Sequence, residues 1–121
     1  MTNFSLIFPP SVHFGFGSIE KLSTIELKGN NCLIVSGKNS MKKYGFIDRV
    51  TGILKKRKIN SFCFTEVEPE VSADTVNNAV ETARKNKADI IIGIGGGSAI
   101  DCAKAVAGLT SQETPSDVRN Y

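Results

Sequence analysis

Apolar residues gather in three short runs along the chain, at residues 32–36, 62–65 and 89–94. Runs of this length, in which apolar and polar residues scarcely alternate, are typical of strands that are buried on both faces of a sheet. The gaps between the runs are long enough to hold helices. The pattern therefore predicts an α/β protein with a parallel sheet and flanking helices.

Helical spacing fills the two gaps between these runs. One helix is predicted over about residues 40–56, and a second over about residues 72–87. Ser72 is a suitable N-cap for the second helix, which ends at lysines that complement the negative end of the helix dipole. The apolar positions that share a face are Ile47, Val50 and Leu54 in the first helix and Val76, Ala79, Val80 and Ala83 in the second.

The predicted strands end at equal intervals along the chain, which is typical of successive strand–helix units. The carboxyl ends of parallel strands meet at one edge of a sheet, and ligands of such sheets bind there. We therefore expect the loops at residues 36–38, 66–70 and 95–98 to lie along one edge and to form one site.

The two ends of the chain follow other patterns. Residues 4–8 and 12–14 have the composition of short strands on either side of prolines, and they predict an N-terminal β-hairpin. The polar segment 110–121 completes no further unit. It is either a flexible terminus or the point at which the chain stops within a larger fold. We expect the second, because three strands leave apolar edges uncovered.

Composition limits the class of protein. The chain has 121 residues, 40% hydrophobic and 22% charged, so we expect residues 1–121 to form a single globular domain. Its net charge of +3 is too small and too dispersed to predict a nucleic-acid partner. The sequence has neither the features of a signal peptide nor an apolar run that spans a bilayer, so we expect a cytoplasmic protein with no membrane partner.

The cysteines and the histidine do not form a metal-binding pattern. Cys32 and Cys63 lie in predicted strands and Cys102 in a predicted helix, and we expect all three to be buried apolar residues. A reactive thiol at Cys102, near a helix start, is the alternative. His13 is predicted to be structural or solvated, because one imidazole alone makes no transition-metal site.

A glycine-rich turn follows the third predicted strand. Gly95, Gly96 and Gly97 lead into a helix for which Ser98 is the predicted N-cap. Glycines let a ligand approach the backbone, and helix N–H groups attract anions, so the segment predicts a cradle for a pyrophosphate. The alternative is a tight turn without a ligand, and the segment matches neither G-x-G-x-x-G nor the P-loop. Asp101 is predicted to cap a backbone N–H or to contact an uncharged part of a cofactor.

The loop after the first strand lacks an acidic residue. Dinucleotide sites that prefer NAD place an Asp or Glu there to bind the ribose 2′-hydroxyl. This sequence instead has Ser36, Gly37, Lys38, Asn39 and Ser40. Gly37 leaves room for a 2′-phosphate, and Ser40, Lys42 and Lys43 are candidates to bind it, which favours NADP. The alternative is that these lysines lie on a solvated helical turn.

With these residues placed, the chain resembles the N-terminal, nucleotide-binding part of the iron-containing (group III) alcohol dehydrogenases along essentially its whole length. The motifs that carry the resemblance are the opening from Phe8 to Leu22, the strand end from Leu33 to Lys38, the Glu-x-Glu-Pro loop from Glu66 to Pro69, and the Gly-Gly-Gly-Ser-x-x-Asp-x-Ala-Lys run from Gly95 to Lys104. The last motif is also found, in looser form, in glycerol dehydrogenases and dehydroquinate synthases.

The resemblance implies a Rossmann-like domain of a larger, homodimeric enzyme that transfers a hydride between an alcohol or aldehyde and NAD or NADP. In that family an Asp and three His of a second, helical domain hold Fe²⁺ or Zn²⁺, and this chain contains none of those ligands. We therefore expect this chain alone to be inactive, with no catalytic residue of its own. The cofactor contacts implied are Gly37, Lys38, Asn39, Ser40, Lys43, Glu70, Gly95, Gly96, Gly97, Ser98 and Asp101. Glu70 stands where many members of the family have Asn.

Two other interpretations stay open from the sequence. In the first, the chain is a non-catalytic remnant that dimerises through its N-terminal strands without binding a nucleotide. In the second, it is part of an enzyme of the glycerol dehydrogenase or dehydroquinate synthase type.

Overall fold

The computed structural model describes residues 18–38 and 45–110, which form an α/β unit with a three-stranded sheet. In chain order its elements are a 3-10 helix (Ser18–Ser23), β1 (Asn31–Gly37), α1 (Phe46–Lys56), β2 (Asn60–Val67), α2 (Ala73–Lys85), β3 (Ile90–Ile94) and α3 (Gly97–Thr110). The three predicted strands are confirmed, and β1 and β2 extend beyond the apolar runs that predicted them. The predicted hairpin at residues 4–8 and 12–14 lies outside the described residues.

The sheet is parallel, with strand order β2-β1-β3. Strand β1 pairs with β2 from Asn31 opposite Asn60 onward, and with β3 from Cys32 opposite Ile90 onward. As the central strand it is covered on both edges and both faces, and the side chains of residues 32–36 have no exposed surface. This burial explains why the run at residues 32–36 is almost entirely apolar.

Helices cover both faces of the sheet. On one face, Leu33 and Val35 of β1 pack in a cluster with α2 and α3. On the other face, Cys32 and Ile34 pack in a second cluster with α1 and the segment before β1. Successive residues of β1 therefore serve opposite cores, as the alternation of side chains along a strand requires.

Helix α1 begins later than the sequence predicts. Gly45 adopts a left-handed conformation, with a φ of 76°, directly before the first helical residue. A right-handed helix cannot pass through that conformation. The prediction that the helix starts near residue 40 is therefore wrong, because α1 starts at Phe46. The apolar face is as predicted, because Ile47, Val50 and Leu54 are all buried.

Helix α2 has the predicted cap and start, and it ends two residues before residue 87. The Ser72 hydroxyl accepts a hydrogen bond from the Thr75 N–H at 3.1 Å, which is the N-cap interaction. The helix ends at Lys85, and its predicted apolar stripe is buried. Thr110 is the last residue of α3, so the polar tail does not begin there as expected. Residues 111–121 lie outside the described part of the chain.

The three cysteines differ in exposure. Cys32 and Cys102 are buried, as predicted, and burial raises the pKa of Cys32 to about 12 and also raises the pKa of Cys102. A raised pKa disfavours the thiolate, so the reactive thiol considered for Cys102 loses support. The prediction for Cys63 is wrong, because this side chain is exposed. It lies on β2, at one edge of the three-stranded sheet that the described residues form, on the face opposite Phe62 and Phe64, whose rings pack against the buried core.

A carboxylate fixes the amino end of the sheet. Asp89, just before β3, accepts hydrogen bonds from the Asn30 N–H at 3.0 Å and from the Asn31 N–H at 2.8 Å. These bonds lower the pKa of Asp89. Gly29, with a φ of 157°, is required here, because a Cβ at that position would lie 2.5 Å from an oxygen of Asp89. We call this arrangement the Asp89 clasp.

No helix within residues 18–38 and 45–110 is long and apolar enough to cross a membrane.

Candidate functional site

The carboxyl ends of the three strands open into one pocket. Its volume is about 470 Å³. The lining residues come from all three loops that follow the strands: Gly37, Lys38, Val67, Glu68, Pro69, Gly95, Gly96, Gly97, Ser98 and Ala99. The expectation that these loops share one edge of the sheet is confirmed.

The three glycines after β3 contribute in different ways. Gly95 has a φ of 136°, in the region that favours glycine, and it turns the chain out of the strand. Gly96 and Gly97 do not have a positive φ, and a Cβ at either would meet no atom within 4 Å. Neither the turn nor the packing requires glycine at these two positions. Their effect is to leave the backbone open to the pocket.

Helix α3 begins in this turn. Its first intrahelical bond runs from the Ile100 N–H to the carbonyl of Gly96 at 3.1 Å, which places Gly96 at the N-cap position. The N–H groups of the first turn of an α-helix have no carbonyl partner within the helix, and the helix dipole adds positive potential there. The turn therefore suits an anion, and the absent side chains of Gly96 and Gly97 allow that anion to approach closely.

Ser98 is not the N-cap, so that prediction is wrong. The helix begins at Gly97, two residues earlier than a cap at Ser98 would place it, because Gly96 takes the cap position. The Ser98 hydroxyl instead donates a hydrogen bond to the backbone carbonyl of Pro69, in the loop between β2 and α2. This contact joins two walls of the pocket.

Gly37 and Lys38 form the wall of the pocket at the end of β1. A Cβ at Gly37 would lie 3.6 Å from the carbonyl of Val67, an ordinary contact, so the position has room for a side chain. Lys38 lies in the pocket wall, and its Nζ is 3.8 Å from Oε2 of Glu66. Both side chains of this ion pair are exposed. The remaining predicted contacts in this loop, Asn39, Ser40 and Lys43, lie outside the described residues.

Two predicted site residues are not part of the pocket wall. Glu70 and Asp101 are both exposed, and neither lines the pocket. Asp101 lies one turn into α3, beyond Ser98, and Glu70 lies beyond Pro69 in the loop that leads to α2. The structure therefore places them at the margin of the site.

Glu68 is a pocket residue that the sequence analysis did not single out. Its Oε1 accepts hydrogen bonds from the Ser72 N–H at 2.9 Å and from the Thr75 hydroxyl at 2.5 Å. The bond from Thr75 is the main reason that the pKa of Glu68 is lowered, so this carboxylate is ionised at neutral pH. The sequence feature that could have indicated this contact is an acidic residue four positions before the N-cap serine, Ser72.

The chemistry of the pocket is that of a binding site. Helix N–H groups, open glycine backbone and a lysine are suited to a phosphorylated ligand. In the part of the chain that the structure describes, no group of three or more His, Cys, Asp or Glu side chains comes together to hold a metal ion. The described residues therefore fit a nucleotide cofactor and do not fit a catalytic metal.

A parallel sheet with helices on both faces and an open glycine turn at its carboxyl edge defines the Rossmann-like class of α/β proteins. Within that class, residues 9–121 match the profile of the family described as iron-containing alcohol dehydrogenase, and the chain belongs to this family.

Relatives in sequence and in structure agree with this assignment. The chain is 41% identical over 108 residues to the NADH-dependent butanol dehydrogenase A of Clostridium acetobutylicum. This match covers 88% of the chain and 28% of the relative. It is 42% identical over 106 residues to the NADPH-dependent butanol dehydrogenase of Clostridium saccharobutylicum, with 88% and 26% covered. The crystal structure of NADH-dependent butanol dehydrogenase A from Thermotoga maritima matches with a TM-score of 0.80 and 35% identity, covering 98% of the chain and 30% of that structure. The chain thus spans less than a third of the length of these relatives.

Proposed function

We propose that this chain supplies the nucleotide-binding part of an NAD(P)-dependent alcohol dehydrogenase that reduces aldehydes or oxidises alcohols. The observation that carries the proposal is the turn of Gly95, Gly96 and Gly97, which opens into the pocket where three parallel strands end. Family membership and the names of the related enzymes support the same activity.

In this proposal the pyrophosphate of the cofactor binds to the backbone N–H groups from Gly96 to Ser98 at the start of α3. The adenosine ribose lies near Gly37 and Lys38, with Asn39, Ser40 and Lys43 as further contacts. Glu70 and Asp101 act only at the margin of the bound cofactor. The nicotinamide ring, when bound, supplies or accepts the hydride.

The metal is proposed to be held elsewhere. The described residues contain no suitable ligand cluster, and the chain spans 28% of the length of the C. acetobutylicum relative. We propose that the ligands for Fe²⁺ or Zn²⁺ belong to a helical domain of a longer protein, and that this chain alone does not turn over substrate. A homodimer and a cytoplasmic location stay predictions from the sequence.

We propose NADP as the preferred cofactor. Gly37 is the last residue of β1, at the place where NAD-preferring sites have an acidic residue that would repel a 2′-phosphate. Lys38 adds positive charge to the same wall of the pocket. The relatives do not decide the question, because an NADH-dependent and an NADPH-dependent butanol dehydrogenase are 41% and 42% identical to the chain. The preference therefore depends on the residues of the β1 loop.

The test is a fluorescence titration of the purified chain with NADPH and with NADH. We expect saturable binding of both, with the lower Kd for NADPH. Circular dichroism of the same sample establishes that the chain is folded, and size-exclusion chromatography with and without NADPH gives its oligomeric state. A folded dimer that binds neither nucleotide would overturn the proposal in favour of a non-catalytic dimerising module.

A further inference from the structure

Ser98 connects the glycine turn with the loop between β2 and α2. Its hydroxyl donates a hydrogen bond to the backbone carbonyl of Pro69, and both residues line the pocket. A serine hydroxyl has a single proton to donate. A hydroxyl that donates to Pro69 therefore cannot donate at the same time to a bound phosphate. Its task differs from that of the glycine N–H groups beside it.

Glu68 fixes the same loop to the start of α2. Its carboxylate accepts hydrogen bonds from the Ser72 N–H and the Thr75 hydroxyl, and Ser72 is also the N-cap of that helix. The loop at residues 68–71 is thus bonded to α2 through Glu68 and to α3 through Ser98. Its pocket-lining residues are held from both sides.

We propose that Ser98 is a positioning residue, which sets the β2–α2 loop at a fixed distance from the glycine turn. The inference rests on the proposed function, because it concerns how that site recognises a whole dinucleotide. A ligand that contacts both the glycine turn and the loop gains affinity when the two are already in place. A ligand that contacts only the glycine turn gains nothing from the bond between Ser98 and Pro69.

Two probes of different length separate this role from direct phosphate binding. We expect inorganic pyrophosphate to contact only the glycine turn, and the longer NADPH to contact also Val67, Glu68 and Pro69, which line the same pocket. In isothermal titration calorimetry of the chain, we expect Ser98→Ala to weaken NADPH binding about fivefold, as for the loss of one hydrogen bond. The affinity for pyrophosphate should change by less than about twofold, which is smaller than the effect of losing one hydrogen bond. Ser98→Thr keeps the hydroxyl and should restore NADPH binding.

Deuterium exchange provides a readout that needs no ligand. In Ser98→Ala, the amides of residues 70–72 should exchange faster than in the unmodified chain, because the loop has lost its bond to α3. Ser98→Thr should exchange at the original rate. Residues 60–64 of β2, distant from the loop, serve as the internal control.

Each outcome decides the matter. An equal loss of affinity for pyrophosphate and NADPH in Ser98→Ala would overturn the proposal, because Ser98 would then bind phosphate directly. Unchanged affinity for both probes would also overturn it. If the unmodified chain binds neither probe, the proposed function fails instead. The exchange experiment then decides alone, and unchanged exchange at residues 70–72 rejects the positioning role.

Discussion

The two ends of the sheet use backbone N–H groups in opposite ways. At the amino end, the N–H groups of Asn30 and Asn31 are bound by a carboxylate of the protein itself, in the Asp89 clasp. At the carboxyl end, the N–H groups at the start of α3 open into a pocket. The first arrangement is complete within the fold, whereas the second suits an anion that comes from outside.

Glycine serves the two ends for different reasons. A Cβ at Gly29 would lie 2.5 Å from an oxygen of Asp89, so the protein's own packing requires glycine there. A Cβ at Gly96 or Gly97 would meet no atom within 4 Å. Glycines that the fold does not need cost conformational entropy without a structural return. Gly108 has the same empty space but does not line the pocket, so the better indicator of a ligand is a glycine that both has empty space around it and lines the pocket.

The largest expected effect is that of Gly97→Val on nucleotide binding. The added side chain has room in the protein but occupies the space where a pyrophosphate would lie, so measurable NADPH binding should be lost while the fold persists. Fluorescence titration measures the binding, and circular dichroism checks the fold. Gly108→Val is the matched control on the same helix, because a Cβ there also meets nothing within 4 Å. Equal NADPH affinity in both variants would refute the cradle.

At the amino end, Asp89→Ala should lower stability without blocking the pocket. The carboxylate accepts hydrogen bonds from two backbone N–H groups, and their loss at this exposed position should cost about 1–2 kcal/mol of unfolding free energy. Urea denaturation measures the change. Asp89→Asn keeps one acceptor oxygen but loses the charge, so it should fall between the unmodified chain and Asp89→Ala.

The pH dependence of stability provides a second check of the Asp89 clasp. The pKa of Asp89 is lowered in the folded chain, so its contribution is complete above the unfolded pKa and disappears as the pH falls through the folded pKa. The stability difference between the unmodified chain and Asp89→Ala should therefore shrink below about pH 4. A constant difference down to pH values well below that would show that the carboxylate charge is unimportant.

Gly37→Asp tests the cofactor preference with a smaller expected effect. The position accepts a side chain, because its Cβ would lie 3.6 Å from the carbonyl of Val67. A carboxylate there should repel a 2′-phosphate and lower the ratio of NADPH to NADH affinity by about tenfold. Gly37→Asn, of nearly the same shape but uncharged, is the control. If both variants change the ratio equally, bulk rather than charge determines the preference.

The smallest effect is expected for Glu66→Gln. Glu66 pairs with Lys38 at 3.8 Å, and both side chains are more than half exposed, at 67% and 58%. Solvent screens such a pair, so its loss should change the unfolding free energy by no more than about 0.5 kcal/mol. Urea denaturation beside Asp89→Ala makes the contrast direct. A loss as large as that of Asp89→Ala would mean that the pocket edge is also important for stability.

The sequence predicts the central elements well and the loop details poorly. Strand β1 is evident because residues 32–36 are buried on all sides and so must be almost entirely apolar. The Ser72 cap is local, and local patterns predict it. Cys63 is exposed on β2, which lies at an edge of the sheet formed by residues 18–38 and 45–110, and that position is a property of the strand order and not of the nearby sequence.

The site itself was predicted at the level of loops rather than atoms. Glycines after a buried strand indicate where an anion binds, and the pocket lies there. The bond from Ser98 to Pro69 joins residues that are far apart in sequence, and no short motif encodes such a contact. Helix α3 starts at Gly97, so Ser98 lies inside the helix and not at its N-cap. The sequence does not predict this start, because helix boundaries depend on the backbone of the whole turn.

The unequal exposure of the cysteines gives the chain a built-in site for chemical labelling. Only one of its three thiols, that of Cys63, is exposed, whereas Cys32 and Cys102 are buried and have raised pKa values. A maleimide dye should attach at a single defined position on the folded chain without any mutagenesis. Intact mass spectrometry should then count one adduct per native molecule and three per denatured molecule, so the number of labels reports directly whether the sheet has formed.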